Sequence, residues 1–128
     1  MTRNRILIAD QNPAIRQTLI DLLQEDSEIV ATVENGESIF HMIAAVSPNL
    51  VLLGIDFQGT SGFEITRRLR QSQCPAKIII ISLHESRDLA RAALAIGASG
   101  YVFMSRLLED LPAAIDAVRE GQVFEPRA

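Results

Sequence analysis

Five times along the chain a short apolar run is followed by a longer stretch in which apolar residues return every three or four positions. The runs are RILIAD (5–10), EIVATV (28–33), LVLLGI (50–55), KIIIIS (77–82) and GYVFM (100–104). Apolar runs this short, bounded by polar residues, read as strands, and the periodic stretches between them as amphipathic helices. After the first run, Asn12 is placed to cap a helix with Pro13 at its first position, and Ile15, Leu19, Leu22 and Leu23 form its apolar face. GESIFHMIAAV (36–46) is a second helix, stopped at Ser47 and Pro48. SGFEITRRLRQ (61–71) is a third, with Ser61 and Glu64 at capping-box spacing and its arginines on a solvated face. In the fourth, SRDLARAALAIG (86–97), Ser86 opens the helix, Gly97 stops it, and Leu89, Ala92, Ala93 and Ile96 read as the core stripe. The last, EDLPAAIDAVREG (109–121), accommodates Pro112 by having it in the first turn.

None of the five runs alternates cleanly with polar residues, so the strands are predicted to be buried on both faces. That requires a mostly parallel sheet with helices on both sides, an α/β doubly wound fold. Ligands in such folds sit beyond the carboxyl ends of the strands. The residues there are Asp10 and Gln11, then Gly54 to Asp56, then Ser82, then Met104 and Ser105.

The chain has 128 residues, 48% of them hydrophobic, enough for one domain with a substantial core and too few for two. Its net charge of −4 and the absence of a basic run argue against direct nucleic-acid binding. No apolar run approaches the ~20 residues that span a bilayer, and the amino terminus lacks a signal-peptide core, so a cytoplasmic protein without membrane attachment is expected. Cys74 is the single cysteine and reads as a reduced loop or helix-end thiol; His41 and His84 read as solvent-facing.

One nucleotide motif is approached and missed. GIDFQGTS (54–61) spaces two glycines as a P-loop does, but Thr60 stands where a lysine must reach the phosphates, and the segment follows the third strand rather than the first. Nucleotide hydrolysis is not expected.

A resemblance covers nearly the whole chain. ILIADQNPAIRQTL (6–19), PNLVLLGIDFQGTSGFEITRRLR (48–70), KIIIISLHE (77–85), ALAIGASGYVFM (93–104) and AIDAVREGQVFEP (114–126) resemble, in order and spacing, the receiver domain of two-component response regulators. The subfamily is the NarL/FixJ or LuxR type, whose receiver precedes a helix-turn-helix domain. The resemblance implies a flavodoxin-like fold with strand order 2-1-3-4-5. It also implies that residues 121–128 begin a linker to an output domain.

In that family, acids after the first strand and an aspartate ending the third hold Mg²⁺, and the latter aspartate accepts a phosphoryl group. Mg²⁺ demands hard anionic oxygens, and the transfer needs a carboxylate nucleophile. Asp10 matches the first acid. Gln11 replaces the second, Gly54 stands at the phosphoacceptor position, and Met104 replaces the lysine that would contact the phosphoryl group. Asp56 corresponds to a position that offers its backbone carbonyl to the metal. Ser82 and Tyr101 match the hydroxyl and aromatic switch positions. The resemblance therefore implies a degenerate phosphorylation pocket of Asp10, Gln11, Gly54, Asp56, Ser82 and Met104, no cofactor, and at most weak Mg²⁺ binding at Asp10.

The chain is accordingly expected not to be an enzyme but a receiver that regulates through contacts. Its partner surface is the face of the fourth helix, fifth strand and fifth helix, meeting a second copy or an output domain, with Arg91 and Asp116 as candidate contacts. DNA would be reached only through a downstream domain. The alternative is a sensor with a small ligand in the vacated pocket, where Gly54 leaves room and Met104 supplies an apolar wall.

Overall fold

The computed structural model describes residues 3–126. A five-stranded parallel sheet runs in the order β2-β1-β3-β6-β7, where β1 is Arg5–Ala9, β2 Glu28–Val33, β3 Leu50–Leu53, β6 Lys77–Ser82 and β7 Gly100–Phe103. Counting sheet strands alone, this is the expected 2-1-3-4-5. β4 (Asp56–Phe57) and β5 (Thr60–Ser61) make a separate antiparallel hairpin, turned at Gly59 with φ of 81°. The segment with P-loop-like glycine spacing is therefore a hairpin, and no helix begins at its second glycine. The helices are α1 (Pro13–Leu23), α2 (Gly36–Val46), α3 (Gly62–Gln71), α4 (Arg87–Ala95) and α5 (Leu107–Arg119), the last entered through a 3₁₀ turn at Met104–Arg106.

Caps set most helix starts as expected. Asn12 Oδ1 accepts the Ala14 amide at 2.8 Å, Ser61 Oγ the Glu64 amide at 3.1 Å, and Ser86 Oγ the Leu89 amide at 3.1 Å. Glu64 does not complete a capping box, because its carboxylate pairs with Arg67 instead.

Alternate residues of each strand feed two cores. Leu7, Val51, Leu53, Ile78, Ile80 and Tyr101 pack with Ile39, Ile65 and Leu69 on one side of the sheet. Ile6, Ile8, Leu52, Ile79, Ile81 and Val102 pack with Leu19, Leu111, Ile115 and Val118 on the other. With both faces apolar, period-two alternation disappears from the sequence. Each such buried aliphatic side chain contributes roughly 1.5–3 kcal/mol, so the sheet is the stable frame on which the strand-end loops are mounted.

Several expectations about the elements change in the structure. Leu22 is 38% exposed, so α1 buries Leu19 and Leu23 without it. α4 buries Ala93 as expected, but with Ala90 in place of Leu89 and Ala92, which face outward, while Leu94 packs half-buried against the core. Pro112 lies inside α5, not in its first turn, since the helix starts at Leu107 and gains the buried positions Leu107 and Leu111. Its missing N–H leaves the Leu108 carbonyl without its helical partner on an exposed side.

The TRRLRQ arginines also divide. Arg67 and Arg68 are exposed, whereas Arg70 is half-buried and donates to the carbonyls of Gly97 (2.7 Å), Cys74 (2.9 Å) and Ala76 (2.9 Å). Finally, residues read as the start of a linker are tied to the sheet. The Phe124 amide donates to Ser99 O at 3.0 Å and its carbonyl accepts the Tyr101 amide at 3.1 Å, covering the β7 edge. The last two residues of that linker reading lie outside the described residues.

Candidate functional site

Asp10 leaves β1 with its amide on Val33 O at 3.1 Å, and its carboxylate turns back over β3. Oδ1 accepts the Asn12 amide at 2.8 Å, and Arg16 Nη1 donates to the Asp10 carbonyl at 2.7 Å. Asn12 in turn caps α1, so the start of that helix fixes the carboxylate. At 8% exposure the Asp10 carboxyl has its pKa raised, with burial the largest cause and the Asp56 charge a minor one. The Asn12 hydrogen bond and Arg16 pull it the other way.

The carboxylate lies against Gly54. A Cβ on Gly54 would collide with Asp10 Oδ2 and stand 2.9 Å from its Cγ. From the other side, a Cβ on Gly62 would overlap the Gly54 carbonyl oxygen and stand 3.1 Å from Ile55 Cα. Gly54 has no positive φ, so its glycine is explained by crowding rather than by backbone conformation. The room expected above Gly54 is filled by Asp10.

Across the mouth, His84 Nε2 lies 3.1 Å from Asp56 Oδ2, both side chains being more than half exposed. His84 is held through its backbone as well: its amide donates to Ser82 Oγ at 2.8 Å, and its carbonyl accepts from Ser82 Oγ at 3.2 Å and from the Tyr101 hydroxyl at 3.4 Å. Tyr101 is fully buried, edge-on to Phe103 with ring centroids 5.9 Å apart, and burial is the main cause of its raised pKa. Ser82 and Tyr101 thus meet at the β6–α4 loop, both on the His84 carbonyl.

Together these groups border a cleft of about 110 Å³ that includes Asp10, Gln11, Ile55, Asp56, Ser82 and His84. Met104 is not among its lining residues. The 3₁₀ turn carries it to a separate hollow beside Thr18, Leu22 and Leu108, because the chain coils toward α5 as soon as β7 ends. Among the described residues no group of three or more His, Cys, Asp or Glu is arranged to hold a metal ion.

The candidate contacts lie elsewhere. Arg91 is exposed and reaches Glu125 at 3.7 Å and Asp88 at 4.0 Å, while Asp116 is exposed on α5. Two residues escaped the sequence reading. His84 sits two positions after Ser82, and only the adjacency of β3 and β6 shows that it faces Asp56; Arg70 carries no local signal, because its carbonyl partners come from two other loops.

The model of the response regulator receiver domain matches residues 6–116, and the chain belongs to that family. It is 28% identical to the DNA-binding transcriptional activator EvgA of Escherichia coli K12 over 96% of this chain and 60% of EvgA. It is likewise 28% identical to the transcriptional regulatory protein LnrK of Bacillus subtilis, over 95% of this chain and 56% of LnrK. Among solved structures, a LuxR-family two-component response regulator from Aurantimonas sp. SI85-9A1 superposes with a TM-score of 0.89 at 28% identity, over 96% of this chain and 89% of that one. The chain spans about 60% of the length of the curated relatives it matches. It is a receiver domain of the kind found in LuxR-family response regulators.

Proposed function

We propose that this receiver regulates through protein contacts, without phosphorylation at the family's acceptor position. The observation that carries the reading is the Asp10 carboxylate seated on Gly54, where a side chain at residue 54 would collide with it. A nucleophile is missing there and the space it would need is in use.

The donor set also fits Mg²⁺ poorly. Asp10 Oδ1 is committed to the Asn12 amide, Asp56 turns to His84, and Gln11 adds no charge. A hard cation held by one free carboxylate edge in a wet site gains only about 1 kcal/mol per close charge pair.

The contact surface in this reading is the α4, β7 and α5 face, with Arg91 and Asp116, meeting a second copy or an output domain. Relatives named as a transcriptional activator and a regulatory protein extend well beyond the matched region, which supports an output domain as the recipient and DNA as its target. The sensor alternative draws no support from the cleft: its roughly 110 Å³ falls well short of the ~300 Å³ at which small-molecule pockets begin.

Incubation with acetyl phosphate and Mg²⁺, followed by intact-mass measurement, tests the proposal. No adduct is expected. A phosphate adduct that disappears in Asp56→Asn would overturn it by showing a displaced acceptor.

A further inference from the structure

At the end of the sheet opposite the Asp10 cleft, the amino-terminal ends of three neighbouring strands converge on a hollow of about 290 Å³. Asn4 and Asn49 directly precede β1 and β3, and Lys77 opens β6; all three line it. Leu50, Pro75 and Val118 form its apolar wall, and Arg119 completes the rim.

Three of its polar side chains, Asn4, Asn49 and Lys77, have donors to spare. Asn4 is only 9% exposed, yet its side-chain amide makes no hydrogen bond among the described residues. Its amide atoms are not fully buried, since the Thr66 hydroxyl is the one fully buried unpaired side-chain polar group among the described residues; they open onto the hollow. Asn49, which is exposed, accepts the Arg5 amide at Oδ1 at 2.9 Å, which orients the side chain; its Nδ2 has no acceptor among the described residues. Lys77 is the chain's one lysine and forms no ion pair among the described residues. No carboxylate lines the hollow. The nearby carbonyls of Ala117 and Val118 are already taken by the amides of Gln122 and Gly121 at 2.9 and 3.1 Å. In a chain of net charge −4, this concavity presents donors, a positive charge and an apolar wall.

We propose that the hollow binds a small organic carboxylate, its oxygens on Asn4 Nδ2, Asn49 Nδ2 and Lys77 Nζ and its carbon body on Leu50, Pro75 and Val118. Charge-assisted bonds to the carboxylate supply orientation, and the apolar wall distinguishes an organic acid from a bare inorganic anion.

Titration of the ¹⁵N-labelled full chain with benzoate, acetate or inorganic phosphate, in a chloride-poor buffer, tests this by NMR. Benzoate is expected to shift the Asn4 and Asn49 side-chain amides and the Leu50, Lys77 and Val118 backbone amides saturably. Acetate and phosphate should bind more weakly at the same residues. Lys77→Met, an exposed change that the dispersed spectrum will show to be folded, should weaken benzoate about tenfold. The proposal is overturned by the absence of saturable shifts at these residues, by an unchanged titration in Lys77→Met, by phosphate binding as tightly as benzoate, or by shifts centred instead on Ser82 and His84.

Discussion

Asp10 and Gly54 form one packing unit, and each side chain at that pair sets what the other can be. In Gly54→Ala the new methyl collides with the Asp10 carboxylate, which must leave either the Asn12 amide or its buried position. Overpacking of this kind costs about 1–3 kcal/mol, and the cost should largely vanish in the Asp10→Ala background. Urea midpoints of the four species measure this coupling; additive effects would show that the two residues do not share the space. The same burial gives a pH dependence. An acid whose pKa is higher in the fold than in the unfolded chain favours folding while protonated. Its contribution is therefore lost as pH rises from the ordinary carboxyl value of 3.8 through the raised folded pKa, and the full penalty remains above it. Asp10→Asn keeps an oxygen for the Asn12 amide without the buried charge, so it should be more stable than the parent at neutral pH. That advantage should shrink on acidification, as thermal melts across the acid range will show. That Asp10, Gln11, Asp56 and Ser82 border one cleft was legible in the sequence, because strand ends in a doubly wound fold fix where residues begin. The position of Met104 was not, because the turn after β7 decides where a side chain points, and no periodic pattern encodes that turn.

At the scale of elements, the helices were legible where a cap or a long apolar face marked them, and less so where neighbours decided. α4 shows the limit: its alanines fit two overlapping stripes, and the structure buries Ala90 with Ala93 and leaves Leu89 facing outward. α5 was expected to start late to spare Pro112, but burial of Leu107 and Leu111 outweighs one lost hydrogen bond. A proline inside a helix costs ~3 kcal/mol, partly offset by the stiffer unfolded chain, so Pro112→Ala should stabilise the protein by about 1–2 kcal/mol. Chemical denaturation measures the gain. Arg70 works in the opposite sense, joining the end of α3 to the loops before β6 and β7 through three carbonyls. Arg70→Ala should cost about 3–5 kcal/mol, since those partly buried carbonyls lose their charged donor. Arg70→Lys should recover little of it, because an ammonium on a single stem cannot span the same fork. Arg67→Ala, on the exposed side of the same helix, should leave the denaturation midpoint in place.

For the whole molecule, identifiable groups hold the β6–α4 loop in the observed arrangement. Tyr101 is completely buried, and the β6–α4 loop is gathered by Ser82, Tyr101 and the Asp56–His84 pair, all without any group at Gly54. A ligand shifts a two-state equilibrium only by binding one state better than the other, so a phosphoryl mimic with no acceptor carboxylate to bind has nothing to bias. Addition of Mg²⁺ with beryllofluoride should therefore leave both the amide spectrum around Ser82, His84 and Tyr101 and the sedimentation behaviour of the chain unchanged. A change confined to Asp56 and His84 would mean that the exposed pair captures the mimic. A change that also moves Tyr101 or the oligomeric state would mean that the fold still couples its cleft to its surfaces, and would overturn the reading of a receiver that acts by contacts alone. Tyr101→Ala sharpens the comparison: emptying that site should cost about 3–5 kcal/mol and loosen the α4 and β7 face. If association by that face is the activity, it should weaken in this variant with or without the mimic.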